Sequence, residues 1–209
     1  MRPTQLAREF DRQLANMVRL GYPQIAGMSK DAFAKLFVPL TGHLAELPPA
    51  IVDSKIPFVL VPDRGLIPPE QSMPLVEQDG RYGVVDMNPT EPSAFTPIEQ
   101  LEVPEGPAYL AADIDTGKET LNVTPDDALP FITASRRSPL TIEEGIAVLT
   151  HHPGVLRSMN AFSLLGSRRG DRRVPALWTS KGSPRLGWCW AGNPHTWLGS
   201  ASCALRLGA

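Results

Sequence analysis

Leu6, Phe10, Leu14, Met17 and Val18 recur every three or four positions, an apolar stripe along one side of a helix that begins near Thr4. Gly21-Tyr22-Pro23 stops it. A second helix is predicted from Ser29, a capping residue, with Asp31 in the first turn, where an acid meets the positive end of the helix dipole. Phe33, Leu36, Phe37 and Leu40 form its buried stripe, and Pro39 should end or kink it. His43, just beyond, reads as a surface residue. From Ile56 the period changes: Ile56 to Val61 is a short β-branched and aromatic run bounded by prolines, which predicts a strand, as do Arg81 to Met87 and Ala108 to Ile114.

A threonine with an acid three positions on recurs at Thr96 to Glu99, Thr124 to Asp127 and Thr141 to Glu144. Each reads as a helix start in which the two side chains satisfy free amides of the first turn. Only the third, running to about His151 with Ile142, Ile146 and Leu149 on one face, is long enough to be read as a full helix. The last third predicts an antiparallel meander with strands at Asn160 to Gly166, Arg173 to Thr179, Pro184 to Ala191 and Ala201 to Leu207. Alternation in Leu186-Gly187-Trp188-Cys189-Trp190 sends both tryptophans to one face and Cys189 to the other. No fixed repeat occurs.

Together these elements predict one α+β domain over 1–209: a helical part at 1–50, a Pro-rich mixed part at 51–135, and a helix plus antiparallel sheet at 136–209. The chain has 22 prolines, and twelve lie between Pro48 and Pro107, so long helices and central strands are excluded there. The net charge of −2 conceals an asymmetry. Residues 1–135 carry 10 basic and 19 acidic side chains, whereas 136–209 carry 10 and 3. The two parts complement each other within one fold, or the basic part meets an anionic partner; the modest overall charge argues against nucleic acid. The first ten residues lack the pattern of a secretion signal, and no apolar run is long enough for a membrane span. Two cysteines make no disulfide framework, so the expected compartment is the cytoplasm, with reduced thiols.

The candidate chemistry concentrates near the end of the chain. Arg168, Arg169, Arg172 and Arg173 flank Gly170-Asp171, a hairpin-type turn, and paired guanidinium forks suit an anion. Asn193, His195, Thr196 and Trp197 share a polar loop leaving the tryptophan-rich strand, where a small ligand would find an aromatic wall. Cys189 with His195 would be the nucleophile and base of a small hydrolase-type enzyme, and Asp113 with Asp115 at a strand end its carboxylate version. Both are incomplete as motifs. Asp113 to Lys118 lacks the ligands of a calcium loop and the glycine and hydroxyl of a phosphate loop, and a tight polar turn accounts for it. Cys189, His195 and Cys203 are spaced wrongly for a zinc knuckle, so no metal or cofactor is expected. The two cysteines could face each other across a hairpin.

Ser163 to Arg168, Gly170 to Trp178 and Leu186 to Trp197 resemble a family of uncharacterised actinobacterial proteins defined only as a domain of unknown function. The resemblance implies a bacterial cytoplasmic protein of single-domain size and assigns no reaction. The leading expectation is therefore a non-enzymatic protein that binds an anionic small molecule or a protein. A small enzyme, or a structural subunit burying its tryptophans in a homodimer, are the rival classes.

Overall fold

The computed structural model describes residues 3–47, 56–156 and 160–209. Its longer helices are α1 (Pro3–Leu20), α2 (Pro125–Ala134) and α3 (Ile142–His151). Its principal strands are β1 (Ile56–Pro62), β2 (Val84–Val85), β3 (Ala108–Ile114), β4 (Ala161–Ser163), β5 (Arg173–Ser180), β6 (Ser183–Trp190), β7 (Leu198–Ser200) and β8 (Leu205–Gly208). The class is α+β.

The N-terminal stripe behaves as its spacing dictates. Leu6, Phe10 and Met17 are buried, Leu14 and Val18 half-buried, and Gly21 ends α1 at φ 93°. Ser29 Oγ accepts the Ala32 N–H at 3.2 Å and opens the short helix Lys30–Lys35, after which Val38–Ala45 tightens into a 3-10 helix. Phe33, Phe37 and Leu40 are fully buried. His43 is more than a surface residue: its Nε2 lies 2.7 Å from the Gly208 carbonyl and tethers the last strand.

Strands β1, β3 and β8 form an antiparallel sheet in the order β1-β3-β8. Both faces are buried, and the alternation along each strand sorts the side chains. Phe58, Leu60, Leu110, Leu205 and Leu207 face the N-terminal helices, whereas Val59, Val61, Tyr109 and Ala111 face a second core. That second core is built on α3, every residue of which is buried except Glu143. Gly145 has no room for a side chain, because a Cβ would meet Leu164 and Leu177 at 2.5 to 2.9 Å. Beyond α3 lies a five-stranded sheet in the order β7-β4-β5-β6-β2.

The cap at Thr141 forms as expected. Thr141 Oγ1 accepts the Glu144 N–H at 3.4 Å and Glu144 Oε2 accepts the Thr141 N–H at 2.8 Å. The same carboxylate is held by Arg206 from β8, Nε to Oε1 at 2.5 Å and Nη2 to Oε2 at 2.9 Å, and by the Tyr109 hydroxyl at 3.1 Å. Arg206 also donates to Ser138 Oγ and the Pro139 carbonyl. This buried hub joins the last strand to the central helix.

Three sequence expectations need correction. Thr96-Pro97 caps no helix; it pairs with Ser167-Arg168 as a short antiparallel ladder. The second threonine does start a full helix, α2, ten residues long: Thr124 Oγ1 accepts the Asp127 N–H, and burial of Ala128 and Ile132 holds the helix together although Pro130 removes one internal donor. The C-terminal sheet keeps an antiparallel centre, β4-β5-β6, but its edge strands β7 and β2 run parallel to their neighbours. The final strand leaves for the other sheet because Leu205 and Leu207 need the apolar face offered by the helical cluster. Residues 48–55, part of the Pro-rich stretch, lie outside the described residues.

Candidate functional site

The hairpin β5-β6 fixes the tryptophans. Arg173 lies opposite Trp190, Val174 opposite Cys189, Pro175 opposite Trp188 and Ala176 opposite Gly187. Directly opposed residues share a face, so Ala176, Trp178 and Cys189 point to one side and Trp188 and Trp190 to the other, as the alternation required. Gly187 is obligatory for the first side: a Cβ there would overlap the Trp178 ring and lie 2.8 Å from the Asp86 carbonyl oxygen. On the second side Trp188 and Trp190 meet edge to face with centroids 5.0 Å apart, and the Arg173 guanidinium lies 4.7 and 5.2 Å from their centres.

The loop after β6 is pinned by backbone hydrogen bonds along its length. The Ala191 N–H donates to the Arg172 carbonyl, Asn193 N–H to Trp190 O, and the His195 carbonyl accepts the Asn122 N–H at 2.8 Å. His195 and Trp197 rings lie 5.2 Å apart. Between loop and hairpin is a cleft of about 270 Å³ lined by Trp178 and Trp197 with Asn193, His195 and Cys189 as its polar groups; Trp188 and Trp190, whose rings point to the other side, border it along the strand. Thr196 is exposed and does not line it. Trp178, which is not among the predicted site residues, comes from the neighbouring strand, where it lies opposite Arg185 and diagonal to Gly187 on the same face.

The four arginines do not gather into one grip. Arg169 Nε and Arg173 Nη1 both pair with Asp171, at 3.1 and 2.6 Å. Arg168 is largely buried, which pulls its pKa down against the charge of Asp126, and its Nη1 has no hydrogen-bond partner among the described residues. Arg172 pairs with Asp126 at 3.3 Å in an exposed bridge and packs on Gly192, whose Cβ position lies 2.5 Å from Arg172 Nη2. An exposed bridge of this kind is worth ~1 kcal/mol or less and is readily exchanged for another anion. Arg172 is thus the arginine placed beside the cleft loop with a replaceable partner.

Cys189 and His195 line the same cleft, yet no hydrogen bond joins them among the described residues. Burial pushes the Cys189 thiol up to about 11, against a smaller opposite pull from Arg168, and burial next to Glu144 pushes Cys203 up to about 12. Both cysteines are free and belong to different clusters, so the cross-hairpin pairing does not occur. Iodoacetamide at neutral pH is expected to label neither thiol at an appreciable rate in native protein and both on unfolding, read by mass spectrometry; rapid native labelling of Cys189 would restore the nucleophile. Asp113, at φ 53°, is bound by Arg137 at 2.6 Å, and Asp115 Oδ1 accepts the Gly117 N–H at 2.8 Å, so this pair ties down the end of β3. Among the described residues no group of three or more His, Cys, Asp or Glu side chains could hold a metal, and no helix is long and apolar enough to cross a membrane.

A model of a family of unknown function, DUF5701, matches residues 16–209. The chain belongs to the DUF5701 family. The match takes in the tryptophan hairpin, the arginine turn and the hub at Glu144, so the cleft is part of the DUF5701 unit, while the first turns of α1 fall outside it. No curated protein and no solved structure matches the chain.

Proposed function

We propose that this DUF5701 protein is a non-enzymatic binder of a small, flat, anionic molecule, held in the cleft between the tryptophan hairpin and the Asn193 to Trp197 loop. The observation that carries the reading is the cleft itself: about 270 Å³ on the Trp178 and Cys189 face, with Trp178 and Trp197 in its apolar wall and few polar groups. Such walls favour a planar body, while Asn193 and His195 orient it. Arg172, beside the loop, receives the negative group by exchanging Asp126. The high Cys189 pKa supports binding over nucleophilic catalysis. The cytoplasm is the compartment that fits this reading, with both thiols unpaired.

Calorimetric titration with naphthalene sulfonate, naphthol and sulfate tests the proposal. The sulfonate is expected to bind about tenfold more tightly than naphthol, and sulfate alone not at all. Trp178→Ala with Trp197→Ala should abolish binding of both aromatics, and Arg172→Ser should erase the preference for the sulfonate. Absence of saturable binding to the parent protein, or binding unaffected by the tryptophan variants, overturns it.

A further inference from the structure

A second cleft, of about 400 Å³, opens where the two sheets meet, between the turn after β3, β7 and α2. Its polar wall is the turn Asp115 to Thr120, read from sequence as a tight turn without a role. The turn is unusually well fixed. Gly117, at φ 83°, and Gly199 press backbone against backbone, with no space for a Cβ at either position. Thr120 Oγ1 accepts the Ser200 N–H at 2.8 Å and donates to the Gly117 carbonyl at 2.8 Å. Asp115 and Ser202 exchange backbone hydrogen bonds at 2.8 and 2.9 Å. Arg137 is spent on Asp113 and Ser202, closing the seam from below.

Asp115 is bound by the Gly117 N–H and Arg137 by Asp113 and Ser202, so the charges the fixed turn leaves for a ligand are one cation and one anion, Lys118 and Glu119, both exposed and neither in an ion pair among the described residues. The opposite wall is apolar: Ile132 is buried and Phe131, 48% exposed, is among the few large apolar side chains left open to solvent. We infer that this cleft binds a small zwitterion of the α-amino acid type, its carboxylate on Lys118, its ammonium on Glu119 and its apolar side chain on Phe131. A simple anion or cation would leave one of the two charges unmatched, and a polar zwitterion would leave the phenyl ring uncovered. A rigid, preformed wall lowers the ordering cost that so small a ligand must overcome. The site is separate from the tryptophan cleft and does not depend on the function proposed there.

The test is calorimetric titration of the full chain with leucine and phenylalanine, against acetate and methylamine as single-charge probes. Leucine or phenylalanine should saturate at about millimolar concentration or below, with acetate and methylamine showing no saturation. Lys118→Met, Glu119→Gln and Phe131→Ala, all at exposed positions that leave the fold intact, should each weaken binding about tenfold or more. Trp178→Ala should leave it unchanged. The inference is overturned if no amino acid binds, if acetate or methylamine binds as tightly, or if the three cleft variants bind like the parent.

Discussion

Arg206→Met is expected to lower the unfolding free energy by about 3–5 kcal/mol, the range found when one partner of a buried ion pair is removed. The Glu144 side chain is fully buried and that of Arg206 only 5% exposed, so solvent cannot take over the lost bonds. The carboxylate keeps the Thr141 amide and the Tyr109 hydroxyl, but both guanidinium contacts go, and Ser138 and Pro139 lose their donor. For a chain of this length the loss corresponds to a fall in melting temperature on the order of 10 °C. Pairing the change with Glu144→Gln removes the stranded charge and should recover part of the loss, a non-additivity readable from a double-mutant cycle by urea denaturation. An Arg206→Met protein as stable as the parent would mean that the hub contributes little.

Such a hub shows where reading the sequence stops. The capping box at Thr141 and Glu144 was legible because both halves lie within one turn of chain. That the same carboxylate meets Arg206, 62 positions later, depends on β8 crossing to the first sheet, and the alternation of Leu205 and Leu207 says only that an apolar face is needed, not which one. Helices α1 and α3 and the β5-β6 hairpin were legible for the same local reason, whereas the length of α2 was not. Thr96-Pro97 was misread because a capping threonine and a strand threonine look alike until the partner, Ser167-Arg168, is known. At the candidate site the face assignment of Trp188, Cys189 and Trp190 followed from period two. The scattering of the four arginines did not: Arg172 meets Asp126 and Arg168 is buried only through the fold, while Asp171 takes Arg169 and Arg173 locally. Gly117 was readable only as part of a tight turn, because its contact with Gly199 is tertiary.

Acid is expected to destabilise the protein well before its carboxylates titrate, and His151 is the main cause. Its ring is buried at the end of α3 with neither nitrogen in a well-formed hydrogen bond among the described residues, and burial, reinforced by the charges of His152 and Arg12 against smaller opposite pulls from the Leu60 backbone and Glu9, holds its pKa down to about 3 against a reference of 6.5. The folded protein therefore keeps this imidazole neutral while the unfolded chain protonates it below about pH 6.5, so stability present at neutral pH is lost as pH falls, by ~1.4 kcal/mol per pH unit for each histidine fully engaged. His152, also lowered by burial although Glu9 pulls the other way, acts in the same direction. Glu9, held below its ordinary value by Arg12 and Gln13 against burial, adds to the loss further into acid. Glu143 opposes it there: burial raises its pKa despite Arg64, so the folded state gains a proton on that group before the unfolded state does. Between pH 6.5 and the carboxylate range the histidines act with least interference. Urea denaturation at a series of pH values across that window should show stability falling with acid, and His151→Leu, which keeps an apolar side chain in the apolar wall, should reduce the slope by about one proton. A parent slope of zero there, or a variant slope equal to the parent's, would mean that His151 takes up its proton inside the folded protein.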